Sequence, residues 1–299
     1  MNDAALLGRP APLFLADVAR AADGIRRRIA GRKVVVTGGA GSLGSALVSW
    51  LLASTDAAEV VSLDTDENRT AHLSRRTHEH AARFRPEITD VRSAAAVDEC
   101  RGAVVFHCAA RKHVRLTQSV RTDVLAVNFH ATRALADAVD PADFVFVSTD
   151  KACDPTVWYG QTKRMAEDHV VLRGGRAVRL CNLFRSNGSL GALIEEDVRA
   201  GRPVVVPNGV VRHFVSIEEG ALAVLLTFAQ EPGRYAVDID KATRWSMIEM
   251  AEAMLHAMGS PVELQATPTP IDEKPVEIAV GNRDGSHVEI VRGLLRIDD

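Results

Sequence analysis

Short apolar runs alternate with longer amphipathic segments through the first two thirds of the chain. Six of the short segments have the length of strands and are bounded by turn residues: 33–36, 59–64, 83–88, 103–107, 144–148 and 176–180. Between them, apolar residues recur every three or four positions, which is typical of helices with one buried face. Strands and helices in alternation predict an α/β protein with a doubly wound parallel sheet of the Rossmann type.

The same pattern divides the chain into three regions. Residues 1–31 are expected to form an N-terminal helical segment, whose helix lies at 14–30 and packs outside the sheet. Residues 32–183 carry the alternation of strands and helices. Beyond residue 183 the order loosens, with a helix expected at 188–201 and an extended piece at 203–207. Residues 184–299 are therefore expected to form a smaller C-terminal region, part of which returns to the main sheet.

A glycine-rich turn joins the first predicted strand to the first predicted helix. Gly38, Gly41 and Gly44 occur at its bends, with Ser42 and Leu43 between them. A phosphate can approach backbone N–H groups closely only where side chains are absent, and the first turn of a helix adds positive dipole. Together with the strand that follows at 59–64, the turn predicts a dinucleotide-binding unit within residues 32–183. A glycine turn without a ligand is the alternative.

Asp64 ends the second predicted strand, about 20 residues after the last glycine, where such units place an acid against the adenosine ribose. A carboxylate at this position favours NAD, because it would repel the 2′-phosphate of NADP. Arg69 follows closely and keeps NADP as an alternative.

Composition and charge agree with an enzyme of the cytoplasm. The chain has 299 residues, 46% of them hydrophobic, and a net charge of -3 with both signs interspersed. This balance predicts neither nucleic acid nor a membrane surface as a partner. The four cysteines stand singly, without the spacing of a metal site, and we expect reduced thiols and no metal. No basic leader or run of 18 apolar residues is present, so we expect no signal peptide or membrane span.

A second motif pairs Tyr159 with Lys163, shortly after the predicted strand at 144–148. Four residues put both side chains on one face of a helix. A tyrosine has an ordinary pKa of about 10 and needs a nearby cation to act as a base near neutrality. The motif also follows the carboxyl end of a strand, where open α/β sheets bind ligands. We therefore interpret the pair as catalytic, although an exposed helix can carry the same spacing by chance.

Several sequence motifs resemble those of the extended short-chain dehydrogenase/reductases. Within that family they resemble most the polysaccharide-biosynthesis group of UDP-N-acetylglucosamine 4,6-dehydratases. The resemblance is close over residues 31–170 and fainter afterwards. It rests on the segments at 38–44, 106–114, 148–152 and 159–164. The most specific of them is Ser148-Thr149-Asp150-Lys151, because dehydratases of dTDP-glucose carry a glutamate at the position of Lys151.

The resemblance implies a sequence of proton transfers on a nucleotide sugar. Tyr159, assisted by Lys163, would take the proton of the C4 hydroxyl while NAD accepts the C4 hydride. Lys151, with a pKa lowered by burial and neighbouring cations, would remove the C5 proton, and Asp150 would protonate the departing C6 hydroxyl. The hydride would return to C6, with or without inversion at C5. Thr149 would hydrogen-bond the sugar near C4.

The resemblance also implies residues that bind the cofactor and the substrate. Tyr159 and Lys163 are expected to contact the cofactor, in addition to the glycine turn and Asp64. The other expected cofactor contacts are Asp90, Val91, Ala109, Ala110, Lys112 and Asn128. Asn128 is also expected to order the backbone near the tyrosine helix. The expected substrate contacts are Lys112, His113, Asn182, Ser189 and Arg212, the last as a diphosphate clamp. His107 ends a strand and is interpreted as a packed side chain. Family members self-associate, so a homo-oligomer is expected.

Two other functions fit parts of the pattern. A nucleotide-sugar C4 epimerase or dehydrogenase would need Tyr159 and Lys163 but no acid–base pair for C5 and C6, and Asp150-Lys151 argues against it. A non-enzymatic NAD-binding protein on this fold would typically lack the tyrosine or the lysine, and both are present.

Overall fold

The computed structural model describes residues 3–269, 274–281, 284, 288–291 and 293–297. Within these residues, nine strands form one central sheet. They are β1 Lys33–Thr37, β2 Glu59–Asp64, β3 Phe84–Ile88, β4 Val104–His107, β5 Phe144–Thr149, β6 Arg176–Leu180, β10 Gly233–Val237, β13 Val288–Val291 and β14 Leu294–Ile297. Their order across the sheet is β13-β14-β10-β6-β5-β4-β1-β2-β3.

Seven neighbouring strands of this sheet, from β10 to β3, run parallel, and β14 pairs antiparallel with both β10 and β13. The order reverses between β1 and β4, and in open sheets such a switch point marks the ligand crevice. The predicted doubly wound Rossmann sheet is confirmed, and the six sequence-predicted strands are β1 to β6.

Helices cover both faces of the sheet. The helices are α1 Asp3–Leu6, α2 Leu15–Ile29, α3 Ser42–Ser54, α4 Glu67–Arg76, α5 Ala94–Cys100, α6 Val114–Ser119, α7 Arg121–Leu125, α8 Thr132–Ala138, α9 Trp158–Leu172, α10 Leu190–Arg199, α11 Ile217–Phe228 and α12 Met247–Ala257, with a π-helical segment at Ala126–Ala131. α2, α3 and α11 pack on one face with Val34 and Val36 of β1, while α5, α8 and α9 pack on the other face with Val35. Alternate residues of one strand thus enter opposite cores, as expected of a sheet buried on both faces.

The smaller part of the structure lies at the carboxyl end of the main sheet's later strands. It contains a three-stranded sheet and a two-stranded sheet, and a separate apolar core that α10 and α12 supply with Phe184 and Phe214. Its strands are β7 Asn182–Leu183, β8 Val204–Pro207, β9 Val211–Val215, β11 Thr243–Ser246 and β12 Leu264–Thr267. The helix and the extended piece predicted at 188–201 and 203–207 are α10 and β8.

The segment before α2 is tied to this smaller part. Leu7 is buried in its core, and Arg9 donates to the buried carboxylate of Glu219 through Nε, at 2.7 Å, and through Nη2. In the described part of the chain, no helix combines the length and the apolar character that crossing a bilayer requires.

Candidate active site

The glycine turn lies between the end of β1 and the first turn of α3, for which Gly41 is the N-cap. A Cβ atom on Gly38 would lie 2.8 Å from the nitrogen of Ala109, and one on Gly44 would lie 2.1 Å from the carbonyl oxygen of Gly38. Gly38 and Gly44 are therefore required by the packing of the turn. A Cβ on Gly41 would meet one atom within 4 Å, the Gly38 oxygen. Gly41 thus leaves open space beside the helix N-terminus, which fits the approach of a diphosphate.

Asp64 closes β2 beside this turn. Its carboxylate accepts hydrogen bonds from the backbone of Ala40 and of Asp66, each at 3.0 Å, so it is fixed against the glycine turn. Arg69 pairs with Asp66 at 3.2 Å, and both of these side chains are well exposed. The cradle therefore presents an acid where a ribose is expected, which suits NAD better than NADP.

Two loops meet over the glycine turn. Ser42 Oγ accepts a hydrogen bond from the nitrogen of Asn187 at 2.9 Å, and Lys112 Nζ lies 3.5 Å from Ser186 Oγ. The ring of His113 packs against Gly188, where an added Cβ would lie 2.4 Å from its Cε1. Residues 186–188 thus connect the predicted cofactor cradle to the predicted substrate contacts Lys112 and His113.

The other predicted binding residues lie around this cradle. Leu43 is buried in the core beneath it, and Ala109 donates its N–H to Thr37 Oγ1 at 3.3 Å, beside Ala110. Asp90 follows β3 and is paired with Arg92 at 2.6 Å, while Val91 is buried. Ser189 caps α10 by accepting from the nitrogen of Ala192.

Asn128 lies in the π-helical segment and connects two parts of the site. Its Oδ1 accepts from the nitrogen of Arg111 at 2.8 Å, and its Nδ2 donates to Thr162 Oγ1 on α9 at 3.2 Å. Thr162 lies one residue before Lys163, so Asn128 orders the tyrosine helix against the loop that follows β4. π-Helical turns of this kind occur frequently at functional sites.

The structure brings Thr149, Asp150 and Lys151 together at the carboxyl end of β5. Lys151 Nζ donates to Asp150 Oδ1 at 3.0 Å and to Asn182 Oδ1 at 3.3 Å, and Thr149 Oγ1 donates to the same Asp150 oxygen at 2.9 Å. Tyr159, at the start of α9, hydrogen-bonds Thr149 and is 8% exposed. Four of the five predicted catalytic side chains therefore form one cluster, in which Lys151 is partly buried and the other three are buried.

The protonation of Lys151 differs from the expectation. Burial of the ammonium and the charge of Arg212 both lower the pKa of Lys151, whereas the carboxylates of Asp150 and Glu277 raise it. The carboxylates have the larger combined effect, so the pKa of Lys151 is raised above its ordinary value. The prediction of a lowered pKa was wrong, because Asp150 and Glu277 both face this lysine and the sequence did not show that Glu277 lies there. Lys151 and Asp150 form an ion pair.

Lys163 lies one turn further along α9. Its Nζ donates to the carbonyl oxygen of Val147 at 2.5 Å and lies 3.9 Å above the ring of Phe146. Burial lowers the pKa of Lys163 to about 7. Burial also raises the pKa of Tyr159, and the cation that acts against this rise is Lys151. The two side chains share one helix face as predicted, but the expected assistance of Lys163 to the phenolate stays a prediction.

A buried ion network lies next to this cluster, and the sequence analysis did not identify it. Ser148 Oγ donates to Glu167 Oε2 at 2.6 Å, and Arg179 Nη2 donates to Glu167 Oε1 at 2.7 Å. Arg179 Nη1 also donates to Asp284 Oδ2 at 2.6 Å and to the carbonyl oxygen of Ala279 at 2.9 Å. The only sequence signal is that Glu167 follows Lys163 by four residues and so faces β5 as well.

Arg212 belongs to the same region and is 4% exposed. Its Nη1 donates to the carbonyl oxygens of Lys274 and Pro275, so it holds the segment that follows residue 273 against β9. The diphosphate contact expected of Arg212 stays a prediction. His107 is packed as predicted, since its two ring nitrogens bond Thr37 and Thr132. No three histidine, cysteine or acidic side chains come together as metal ligands among the described residues.

Known proteins of similar sequence include polysaccharide biosynthesis proteins, a dehydratase and an epimerase. Probable polysaccharide biosynthesis protein EpsC of Bacillus subtilis is 30% identical over 258 residues, which cover 80% of this chain and 43% of EpsC. The UDP-N-acetylglucosamine 4,6-dehydratase (inverting) of Campylobacter jejuni is 25% identical, over 75% of this chain and 71% of that protein. The UDP-glucose 4-epimerase of Rickettsia canadensis is 26% identical, over 89% of this chain and 82% of the epimerase.

Among solved structures, the dTDP-glucose 4,6-dehydratase DesIV of Streptomyces venezuelae, with NAD and TYD bound, has a similar fold. The TM-score is 0.72 at 20% identity, with 84% of this chain and 89% of that chain covered. A family model described as polysaccharide biosynthesis protein matches residues 34–290, from β1 to β13. This match covers most of the chain, so the chain belongs to the polysaccharide biosynthesis protein family.

Proposed function

We propose that this chain is an NAD-dependent nucleotide-sugar 4,6-dehydratase acting on UDP-N-acetylglucosamine or a related UDP-sugar. The observation that carries the proposal is the Asp150–Lys151 ion pair beside Tyr159 and Thr149, in which Asp150 is buried and Lys151 is partly buried. The named activity of the Campylobacter relative supports it. The chain spans 43% of the length of EpsC, so the proposal concerns the chemistry of this part.

The cofactor would be held by the cradle described above. Gly41 and the first turn of α3 would receive its diphosphate, and Asp64 would bind the adenosine ribose. DesIV, which shares the fold, binds NAD. When bound, NAD would accept a hydride from C4 of the sugar and return it to C6, so that no net oxidation occurs.

The proton count of the Asp150–Lys151 pair matches the elimination step. The ion pair holds one proton on Lys151, and transfer of that proton across 3.0 Å gives a neutral amine beside a carboxylic acid. In that form Lys151 can take the C5 proton while Asp150 gives its proton to the C6 hydroxyl, which leaves as water. The elimination therefore regenerates the ion pair found in the structure. A raised pKa of Lys151 is compatible with its role as a base, because proton transfer within the pair supplies the free amine.

Tyr159 and Thr149 complete the cycle. Tyr159 takes the proton of the C4 hydroxyl, and Lys151 returns its proton to C5 when the hydride reaches C6. After turnover Tyr159 holds one proton more, and the Asp150–Lys151 pair one proton fewer, than at the start. The hydroxyl of Thr149, which contacts both side chains, joins the two groups that must exchange this proton.

The second candidate is a C4 epimerase, favoured by the match to the Rickettsia protein. An epimerase needs Tyr159 and a rotating 4-keto sugar, and it has no use for an acid and a base at C6 and C5. The two functions are distinguished by Lys151→Met, which removes the amine but keeps most of the side-chain volume. We expect loss of water elimination by on the order of 10²–10⁴-fold with C4 oxidation retained.

The matched control is Lys241→Met on the exposed loop after β10, where the lysine lies 3.8 Å from Asp238. It should leave turnover unchanged. Dehydration is followed by mass spectrometry and C4 oxidation by the absorbance of reduced cofactor. Undiminished C4 epimerisation by Lys151→Met, with no dehydrated product from the parent enzyme, would reject the dehydratase.

A further inference from the structure

Glu277 is a buried acid outside the motifs that the sequence singled out. It is 5% exposed, and its Oε2 accepts no hydrogen bond from any residue in the described part of the chain. Lys274 Nζ lies 3.6 Å from this oxygen. A buried carboxylate without hydrogen bonds costs free energy, so it persists only where nearby charges or a function require it.

The chain around Glu277 is clamped onto the catalytic turn on both sides. Before Glu277, Arg212 Nη1 donates to two backbone oxygens, Val276 forms a bridge with Val211, and Lys274 Nζ donates to the carbonyl oxygen of Cys153 at 2.9 Å. Cys153 directly follows the turn that carries Asp150 and Lys151. After Glu277, the carbonyl oxygen of Ala279 accepts from Arg179, which is also bonded to Glu167 of α9.

The charges that face the cluster come from four elements. Asp150 and Lys151 lie at the end of β5, Tyr159 on α9, Arg212 and His213 on β9, and Lys274 and Glu277 on the clamped segment. The Cys181 thiol after β6 is also within reach of the pair.

The cations beside Glu277 are engaged by the main chain. Arg212 is permanently charged, and Lys274 Nζ is bound to the Cys153 carbonyl. Glu277 is thus the second acid, after Asp150, that acts directly on Lys151. Burial raises the pKa of Glu277, and the cations of Lys151, Arg212 and Lys274 act against that rise.

We propose that Glu277 is a positioning residue of the Asp150–Lys151 pair, and that its carboxylate stabilises the ammonium that forms when Lys151 takes the C5 proton. The proposal rests on the dehydratase function. In the elimination the pair passes from amine and acid to ammonium and carboxylate, and a fixed negative charge beside Lys151 favours the second form. The same negative charge does not favour C4 oxidation, because Lys151 neither gains nor loses a proton in that step.

The test compares Glu277→Gln with Glu277→Asp and with Glu263→Gln. Glutamine keeps the shape and removes the charge, aspartate keeps the charge, and Glu263 is an exposed acid before β12. For Glu277→Gln we expect kcat for dehydration to fall on the order of tenfold with KM unchanged. The alkaline limb of the pH profile should move to lower pH by on the order of one unit, because the ammonium of Lys151 loses a stabilising charge. Glu277→Asp should restore the position of the limb, and Glu263→Gln should leave it unchanged.

The proposal would be overturned if the pH profile of kcat for Glu277→Gln had its alkaline limb at the same pH as the parent enzyme once both profiles are scaled to the same maximum. A second readout needs no turnover: competitive acetylation of Lys151 at a series of pH values, quantified by mass spectrometry. The pKa of Lys151 should fall in Glu277→Gln, and an unchanged value would also overturn the proposal. A parent enzyme that makes no dehydrated sugar while this shift is observed would reject the dehydratase function and retain the coupling of Glu277 to Lys151.

Discussion

At the scale of single residues, the central feature is a lysine and an aspartate that share one proton. The sequence predicted both side chains and their roles, but it predicted a lowered pKa for Lys151, and the structure shows a raised one. The rise comes first from Asp150, which pairs with the ammonium, and second from Glu277, which lies far along the chain and reaches Lys151 only after folding. Spacing along the sequence could identify Asp150, but it could not identify the second acid.

His107 shows the opposite case, a titratable residue that serves packing. Its Nε2 donates to Thr132 Oγ1, because the Thr132 hydroxyl donates to the carbonyl oxygen of Asn128, and its Nδ1 accepts from Thr37. The imidazole is therefore neutral, and burial lowers the pKa of His107 to about 3.

This burial predicts a pH dependence of stability. Below pH 6.5 the unfolded chain protonates His107 while the folded chain does not, so stability falls as the pH drops from 6.5 toward 3. The contribution lost between pH 7.5 and 5 is about 2 kcal/mol. Urea unfolding at both pH values should show a smaller loss in His107→Asn than in the parent, and an unchanged loss in the control His78→Asn on the surface. An equal loss of unfolding free energy in the parent and in both variants would contradict the assignment of this pH dependence to His107.

At the scale of elements, the turn between β1 and α3 combines local sequence with a tertiary contact. Its glycines were predicted from their spacing, and the structure adds the reason: Gly38 packs on Ala109 and Gly44 packs on Gly38. The contact with Ala109 joins β1 to the loop after β4, which lies at the switch point of the sheet.

Gly44→Ala should therefore distort the dinucleotide cradle. The added Cβ would lie 2.1 Å from a backbone oxygen, so the turn must move, at a cost of about 1–3 kcal/mol and with loss of NAD binding. Gly24→Ala in α2 is the matched control, because an added Cβ there meets no atom within 4 Å and should be neutral or stabilising. Calorimetric titration with NAD and thermal unfolding measure both effects. NAD binding by Gly44→Ala with the parent's affinity would contradict this account of the cradle.

The buried ion network that joins α9, β6 and Asp284 also acts between elements. Arg179 is fully buried between the carboxylates of Glu167 and Asp284. Arg179→Met removes the cation that joins these two acids, while Glu167 keeps Arg234 and Asp284 keeps Arg164 as a partner. The substitution should therefore destabilise the protein by about 3 kcal/mol. Arg202→Met, which breaks an exposed pair with Asp197 at 2.9 Å, should leave the stability almost unchanged, because solvent screens the pair. Chemical denaturation distinguishes the two, and similar values would show that the network contributes little.

At the scale of the whole molecule, the sequence predicted the main sheet better than the smaller part. Strands β1 to β6 are apolar runs between helices, and their order follows from right-handed parallel connections. α11 was missed because ten of its twelve residues are buried, so it has no polar face to reveal a helical period. β14 was missed because its partners are β10, distant in sequence, and the short β13. Self-association, expected from the family resemblance, stays a prediction.

The division of the chain has a consequence for the site. Thr149, Asp150, Lys151 and Tyr159 belong to the main sheet and α9, whereas Asn182, Arg212 and Glu277 come from the later part of the chain. The catalytic pair is therefore completed by contacts between the two parts. This arrangement explains why sequence reasoning found the reacting groups and not the groups that set their charge.

The most direct measurement is the product formed from UDP-N-acetylglucosamine and NAD in deuterated water, analysed by mass spectrometry and proton NMR. We expect a product that has lost one water and has gained one deuterium at C5, because Lys151 exchanges its proton with solvent before it returns a proton to C5. A sugar epimerised at C4, with its C6 hydroxyl intact and no deuterium at C5, would contradict the role assigned to the Asp150–Lys151 pair.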